Sequence, residues 1–87
     1  MASRGISTLD RAVAKRIRAL ADDHGMKQAD VADAAGITRT TFGRYWRAER
    51  SMTLDDLEHV LAALGTSYPA EYAVIRDIRR RLDAAGQ

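Results

Sequence analysis

Apolar residues recur three and four residues apart along most of the chain, which is the spacing of a helix with one buried side. The first such stripe consists of Leu9, Val13, Ile17 and Leu20. Ser7 and Thr8 precede it and are residue types that cap helix N-termini, whereas Gly25 follows it and is typical of a helix end. We therefore predict a first helix between these signals.

Two further stripes in the second half of the chain predict a fourth and a fifth helix. The fourth carries Leu54, Leu57, Val60, Leu61 and Leu64. Thr53 can cap this helix and Gly65 can end it. The fifth, predicted over residues 69–85, carries Tyr72, Ile75, Ile78 and Leu82. Pro69 suits the first turn of that helix, where its missing N–H has no helical partner to lose.

Residues 28–47 predict two shorter helices joined by a tight turn. The inward positions of these helices are Val31, Ala32, Ala35, Phe42 and Tyr45. Gly36 breaks the second helix, where the turn is expected to need a positive φ, and Thr38 can cap the third. Small or apolar residues thus occupy the positions where the two helices touch, which is the pattern of a helix-turn-helix.

Composition supports an all-α fold, a compact bundle of about five helices in a single domain spanning residues 1–87. The chain has one proline among 87 residues and is 46% hydrophobic and 30% charged. It has no cysteine, which excludes disulfides and thiolate metal sites. No apolar run approaches the roughly 18 residues of a membrane span, and no signal peptide is evident. We expect a cytoplasmic protein without a cofactor, a metal, a small-molecule ligand or a membrane partner.

Charge is distributed unevenly along a chain whose net charge is only +2. Residues 36–50 are strongly basic, because Arg39, Arg44, Arg47 and Arg50 are opposed only by Glu49. Arginine binds both phosphate and guanine through paired N–H groups. No serine has a His–Asp setting, and no glycine-rich phosphate loop is present, so we expect no enzyme activity.

Residues 16–67 resemble the lambda-repressor-like helix-turn-helix family of small phage repressors, Cro-like proteins and their bacterial relatives. The matching stretches are Gln28-Ala29-Asp30-Val31-Ala32, Ala35-Gly36-Ile37-Thr38, Leu54-Asp55-Asp56-Leu57 and Ala63-Leu64-Gly65. The resemblance implies that the third helix, residues 38–47, lies in the DNA major groove. It implies base-edge contacts from Arg39, Thr40 and Arg44. It implies phosphate contacts from Gln28, Thr38 and Thr41, with Arg47 and Arg50 placed to reach the flanking backbone.

Several positions depart from the family pattern or lie outside it. Gly43 replaces a side chain inside the recognition helix, either to let the DNA backbone approach closely or as a tolerated exposed glycine. Trp46 has three interpretations: it packs on the core, it stacks on sugar-phosphate, or it belongs to a subunit interface. Ala48 stands where the family usually has glycine. Arg18 and Arg4 are either further DNA contacts or, respectively, a solvated helix face and a disordered terminus.

These features predict a sequence-specific regulator, most simply a phage or bacterial repressor that binds an inverted-repeat operator as a homodimer. Two copies would present their recognition helices about 34 Å apart and block polymerase. The apolar residues of the fifth helix, Tyr72, Ile75, Ile78 and Leu82, either cover the core or form that dimer interface. The alternative is an antitoxin or another protein-interaction module that masks a partner protein and autoregulates its operon.

Overall fold

A computed structural model describes residues 5–86, and five helices occupy most of that range. They are α1 (Thr8–Asp23), α2 (Gln28–Ala35), α3 (Arg39–Trp46), α4 (Leu54–Ala63) and α5 (Tyr68–Ala85). No strand occurs within residues 5–86, and the all-α prediction is confirmed. Arg4, for which a DNA contact was one of two interpretations, lies outside the described residues.

Side-chain caps fix where the helices begin. Ser7 Oγ accepts the backbone N–H of Asp10 at 3.2 Å, and the Asp10 carboxylate accepts the N–H of Ser7 at 2.9 Å. This reciprocal pair is a capping box, which satisfies two N–H groups that the helix itself cannot. Thr53 Oγ1 accepts the N–H of Asp56 at 3.0 Å at the start of α4. Ser67 caps α5, so that helix begins one residue before the predicted Pro69.

The core is one cluster to which the first four helices contribute. Its buried members are Ile17, Leu20, Ala21, Val31, Ala32, Ala35, Phe42, Tyr45, Leu57, Val60, Leu61 and Leu64. Phe42 of α3 is completely buried at its centre, with 0% of its surface exposed. Because α3 is only eight residues long, this tertiary packing rather than its own propensity holds it helical.

Two residues of the apolar stripes predicted for α1 and α4 are not part of this core. Leu9 is 44% exposed and Leu54 is 69% exposed, so the prediction that they are buried is wrong. Each lies in the first turn of its helix, which neighbouring helices cover only in part. Both line one groove together with Tyr72, which is 51% exposed.

The fifth helix packs mainly against α1. Its buried glutamate, Glu71, accepts a hydrogen bond from Arg16 Nε at 2.6 Å and another from Thr66 Oγ1 at 2.9 Å. Burial by itself would raise the pKa of Glu71, but these two donors outweigh it and hold the pKa below its usual value. The ionised side chain thus ties α5 to α1 and to the turn before α5.

Candidate nucleic-acid interface

The turn between α2 and α3 is closed by backbone hydrogen bonds around a left-handed glycine. Gly36 has φ +73°, as the sequence predicted, and the N–H of Ile37 donates to the carbonyl of Ala32 at 3.0 Å. Glycine adopts this conformation without a steric penalty. Thr38 then caps α3, because its Oγ1 accepts the N–H of Thr41 at 3.3 Å.

The two sides of α3 differ sharply. Phe42 and Tyr45 are buried, as the pattern predicted. At about 100° per residue, the opposite side is centred on Thr40, with Arg39 and Arg44 to either side. All three are exposed. The helix therefore offers the predicted base-contacting residues to solvent on a side that no other described element covers.

A hydrogen bond from the buried side of α3 fixes its orientation. The Tyr45 hydroxyl donates to Asp56 Oδ2 of α4 at 2.5 Å. Burial, and after it the bond to Asp56, raises the pKa of Tyr45, so the hydroxyl keeps its proton. Together with Phe42 this bond holds α3 against rotation about its own axis.

A family model described as the Cro/C1-type HTH DNA-binding domain matches residues 16–74, which is more than half of the chain. This chain belongs to the Cro/C1-type helix-turn-helix family. Neither the comparison with curated proteins nor that with solved structures gave a significant match. The family assignment and the observed helices agree with the resemblance inferred from the sequence. They identify the chain as a DNA-binding regulator.

Arg39 of this Cro/C1-type domain is held by a carboxylate of the preceding helix. Its Nε donates to Asp33 Oδ1 at 3.2 Å and its Nη2 to Asp33 Oδ2 at 2.7 Å. The hydrogen bond from Arg39 lowers the pKa of Asp33, and the same bond raises the pKa of Arg39. Both side chains are well exposed, and both are charged at neutral pH.

Gly43 is buried rather than exposed, so its interpretation as a tolerated exposed glycine is wrong. A Cβ at this position would lie 3.2 Å from Gln28 Nε2 and 3.2 Å from Arg47 Nη1. Two side chains predicted to contact phosphate thus converge over the glycine. DNA backbone could reach Gly43 itself only after these side chains had moved.

The two remaining arginines of the predicted backbone set have different surroundings. Arg47 Nε donates to Glu49 Oε2 at 2.9 Å, which lowers the pKa of Glu49. The guanidinium of Arg50 lies 5.9 Å from the centre of the Tyr45 ring, within the range of a cation–π contact. Both arginines are exposed on the side of the molecule where α3 ends.

Three residues with unusual sequence features meet at the end of α3 or just beyond it. Trp46 is partly buried against the core, and its ring centroid lies 5.9 Å from that of Phe42. Of the three interpretations, core packing is therefore the one seen. Arg18 Nη1 donates to the Trp46 carbonyl at 2.7 Å, which places a positive charge at the negative end of α3. Ala48 has φ +55°, the conformation that the family's usual glycine adopts most easily.

Sequence reasoning missed the carboxylates that hold the arginines. Asp33 precedes Arg39 by six residues across a turn, and no helical or strand periodicity pairs positions at that distance. The only signal was an acidic α2 beside a basic α3.

No set of three or more potential metal ligands comes together within residues 5–86. In the same range, none of the helices has the length and apolar character needed to cross a lipid bilayer.

Proposed function

We propose that this chain is a transcriptional repressor of bacterial or phage origin that binds a specific double-stranded operator in the cytoplasm of its host. The observation that carries the proposal is the exposed side of α3. That side presents Arg39, Thr40 and Arg44 on a helix whose other side is locked into the core. A helix presented in this way fits the major groove, where the base pairs are distinguishable.

Sequence would be read by three side chains. Arg39 and Arg44 each offer paired N–H donors to the O6 and N7 acceptors of guanine, and the methyl group of Thr40 suits the methyl group of thymine. Each good bidentate arginine contact contributes about 1–3 kcal/mol of discrimination. Two such contacts would separate the operator from random DNA by roughly 2–6 kcal/mol, which overlaps the roughly 4–10 kcal/mol of specific regulators.

Affinity would come from contacts to phosphate around these readers. Gln28 is the first residue of α2, where unpaired N–H groups and the helix dipole also attract phosphate. Thr38 and Thr41 flank the start of α3 in the same region. Arg47 and Arg50 extend the positive surface beyond the end of α3. These contacts would hold the register while the three base-facing residues specify the site.

Repression by occlusion is the simplest mechanism, with a homodimer on an inverted repeat. The groove that Leu9, Leu54 and Tyr72 line has a volume of about 320 Å³ and contains the only large apolar side chains exposed within residues 5–86. Its rim is basic at Arg76 and Arg79. The exposed start of α4, beside Leu54, is acidic, so a second copy would bring opposite charges together across a two-fold axis.

This surface differs from the interface that the stripe of α5 suggested. Tyr72 is exposed and remains available, whereas Ile75 is 3% exposed and packs within its own chain. Ile78 and Leu82 are partly buried. We therefore place the proposed dimer contact at Tyr72 and the groove beside it, with Ile78 and Leu82 at its margin.

The deciding experiment selects bound sequences from a randomised duplex pool and follows the affinity of the enriched sequence against salt. An enriched inverted repeat supports a dimeric repressor, and a single half-site supports DNA reading by a monomer. Arg39→Ala and Arg44→Ala should each weaken operator binding by about 1–3 kcal/mol and random DNA far less. Arg50→Ala should weaken both alike and flatten the salt dependence by about one charge.

Arg80 provides a matched control, because it is exposed on α5, outside the predicted contact set. Arg80→Ala should leave the ratio of operator to random affinity unchanged. Equal losses on operator and random DNA for Arg39→Ala and Arg44→Ala would contradict base reading by α3.

A second candidate function is a protein-interaction module that masks a partner such as a toxin. The exposed groove is the observation that favours it. Sedimentation of the purified chain, with Leu54→Asp as the variant, separates the two. A dimer that Leu54→Asp dissociates supports the repressor. A monomer that enriches no DNA sequence supports partner masking.

A further inference from the structure

We propose that Asp33 is a specificity-determining positioning residue, which holds the guanidinium of Arg39 in the orientation that reads a guanine. The inference rests on the proposed function, in which Arg39 is a base reader. The observation behind it is that the first residue of the recognition helix is bound by a carboxylate of the helix before it.

The geometry leaves the reading edge of Arg39 available. Asp33 engages Nε and Nη2, which form one edge of the guanidinium plane. Arginine carries five N–H donors in a rigid fork, so Nη1 and the second hydrogen of Nη2 still point away from Asp33. Those two groups form the end of the fork, which matches the two acceptors of guanine. Arg39 can therefore bind Asp33 and a guanine at the same time.

The pair reduces the freedom of a long side chain before DNA arrives. The Arg39 side chain is 69% exposed, and within residues 5–86 its hydrogen bonds go to Asp33 alone. Ordering such a side chain on binding opposes affinity, and a partner that has already ordered it removes part of that cost. Asp33 belongs to α2, which the core holds against α3, so the backbone that carries this carboxylate keeps a fixed position relative to the recognition helix.

The negative charge of Asp33 also weakens binding to random DNA. A carboxylate on the surface that meets a polyanion repels phosphate, so Asp33 lowers non-specific affinity. It also occupies the edge of Arg39 that a phosphate would otherwise take. The operator compensates by offering guanine to the free end of the fork, whereas random DNA does not. Asp33 thus increases the difference in affinity between operator and random DNA in two ways, because it favours guanine reading and weakens non-specific binding.

The domain contains a matched control for this idea. Glu49 binds Arg47 through the same guanidinium edge, at 2.9 Å and 3.3 Å. Arg47, however, belongs to the predicted phosphate contacts and not to the base readers. Glu49→Gln removes the same charge from the same surface as Asp33→Asn. A general effect of charge would appear in both variants, and a specificity effect only in Asp33→Asn.

The test measures a discrimination ratio, which is the affinity for the selected operator divided by that for the same operator with the Arg39-dependent base pair exchanged. Arg39→Ala identifies that base pair. Asp33→Asn should lower the ratio about three- to tenfold, as expected for freeing one side chain. It should also bind random DNA more tightly. Glu49→Gln should tighten all DNA while keeping the ratio, and Asp33→Asn should lower the ratio no further in the Arg39→Ala background.

Two outcomes would overturn the inference alone. In the first, Arg39→Ala lowers the ratio but Asp33→Asn keeps or raises it, so Asp33 is a competitor for Arg39 and base reading stands. In the second, the Nε–H of Arg39 in DNA-free protein is as mobile by NMR relaxation as that of Arg44. If Arg39→Ala leaves the ratio unchanged, or no operator is enriched, the base-reading function itself fails and the inference with it. Unfolding temperatures of both variants within a degree or two of the parent show that the fold is retained.

Discussion

Gly43→Ala should stabilise the domain and weaken its binding to DNA at the same time. Gly43 lies inside α3, where glycine costs about 1 kcal/mol relative to alanine. The new Cβ would stand 3.2 Å from both Gln28 Nε2 and Arg47 Nη1, inside the contact distance of about 3.5 Å or more. Both neighbours are the ends of flexible side chains, and shifting them costs about 0.5 kcal/mol.

The two terms leave a net stabilisation of about 0.5 kcal/mol. For a domain of this size that corresponds to a rise in Tm of about 2–4 °C. Thermal unfolding followed by circular dichroism measures it. A fall in Tm would refute the structural reasoning, because it would mean that the two side chains over Gly43 cannot move aside.

The effect on DNA follows from which side chain moves. Displacing the Gln28 amide removes one proposed phosphate contact, so operator and random DNA should both bind about two- to tenfold more weakly, as expected for one hydrogen bond. Gln28→Ala supplies the control, since adding Gly43→Ala to it should then cause little further loss. A loss of the same size in the Gln28→Ala background would refute the route through Gln28 and would indicate either displacement of Arg47 or direct contact between DNA and residue 43.

Three further predictions concern stability. Glu71→Ala should cost about 2–3 kcal/mol in urea unfolding, less than a fully buried pair because Arg16 is 24% exposed; a cost below about 1 kcal/mol would contradict the buried network. Because the folded pKa of Glu71 lies below its ordinary 4.5, the ionised carboxylate stabilises the fold above that pH, and this stabilisation is lost as the pH falls through the folded pKa. The difference in free energy of unfolding between the parent and Glu71→Gln should therefore narrow below about pH 4.5. Ala48→Gly should raise the free energy of unfolding by about 0.5–1 kcal/mol, since relief of the left-handed conformation exceeds the entropy that glycine adds to the unfolded chain; a lower Tm in this variant would count against strain at residue 48.

The helices and the helix-turn-helix could be predicted from the sequence because their causes are local. Ser7, Thr38 and Thr53 cap helices through bonds that reach three residues along the chain. Gly36 adopts the positive φ that its place between two apolar patterns required. Local signals of this kind depend on a few neighbouring residues, so they survive without knowledge of the fold.

Only the tertiary structure decided which apolar residues are buried and which side chains meet. Leu9 and Leu54 follow the helical spacing, yet they lie at helix starts that neighbouring helices cover only in part. Burial depends on where a helix extends beyond its partners, and periodicity holds no information about that.

The proposed DNA-contacting site likewise combines residues that could be named from the sequence with contacts that only tertiary packing creates. The family resemblance named Arg39 and Gln28, but the contact of Asp33 with Arg39 and the cover over Gly43 arise from how α2 packs on α3. The bond between Arg16 and Glu71 joins residues 55 positions apart. Spacing within one helix determines a residue's side, whereas its partners depend on the distance and angle between helices, which the packed core alone sets.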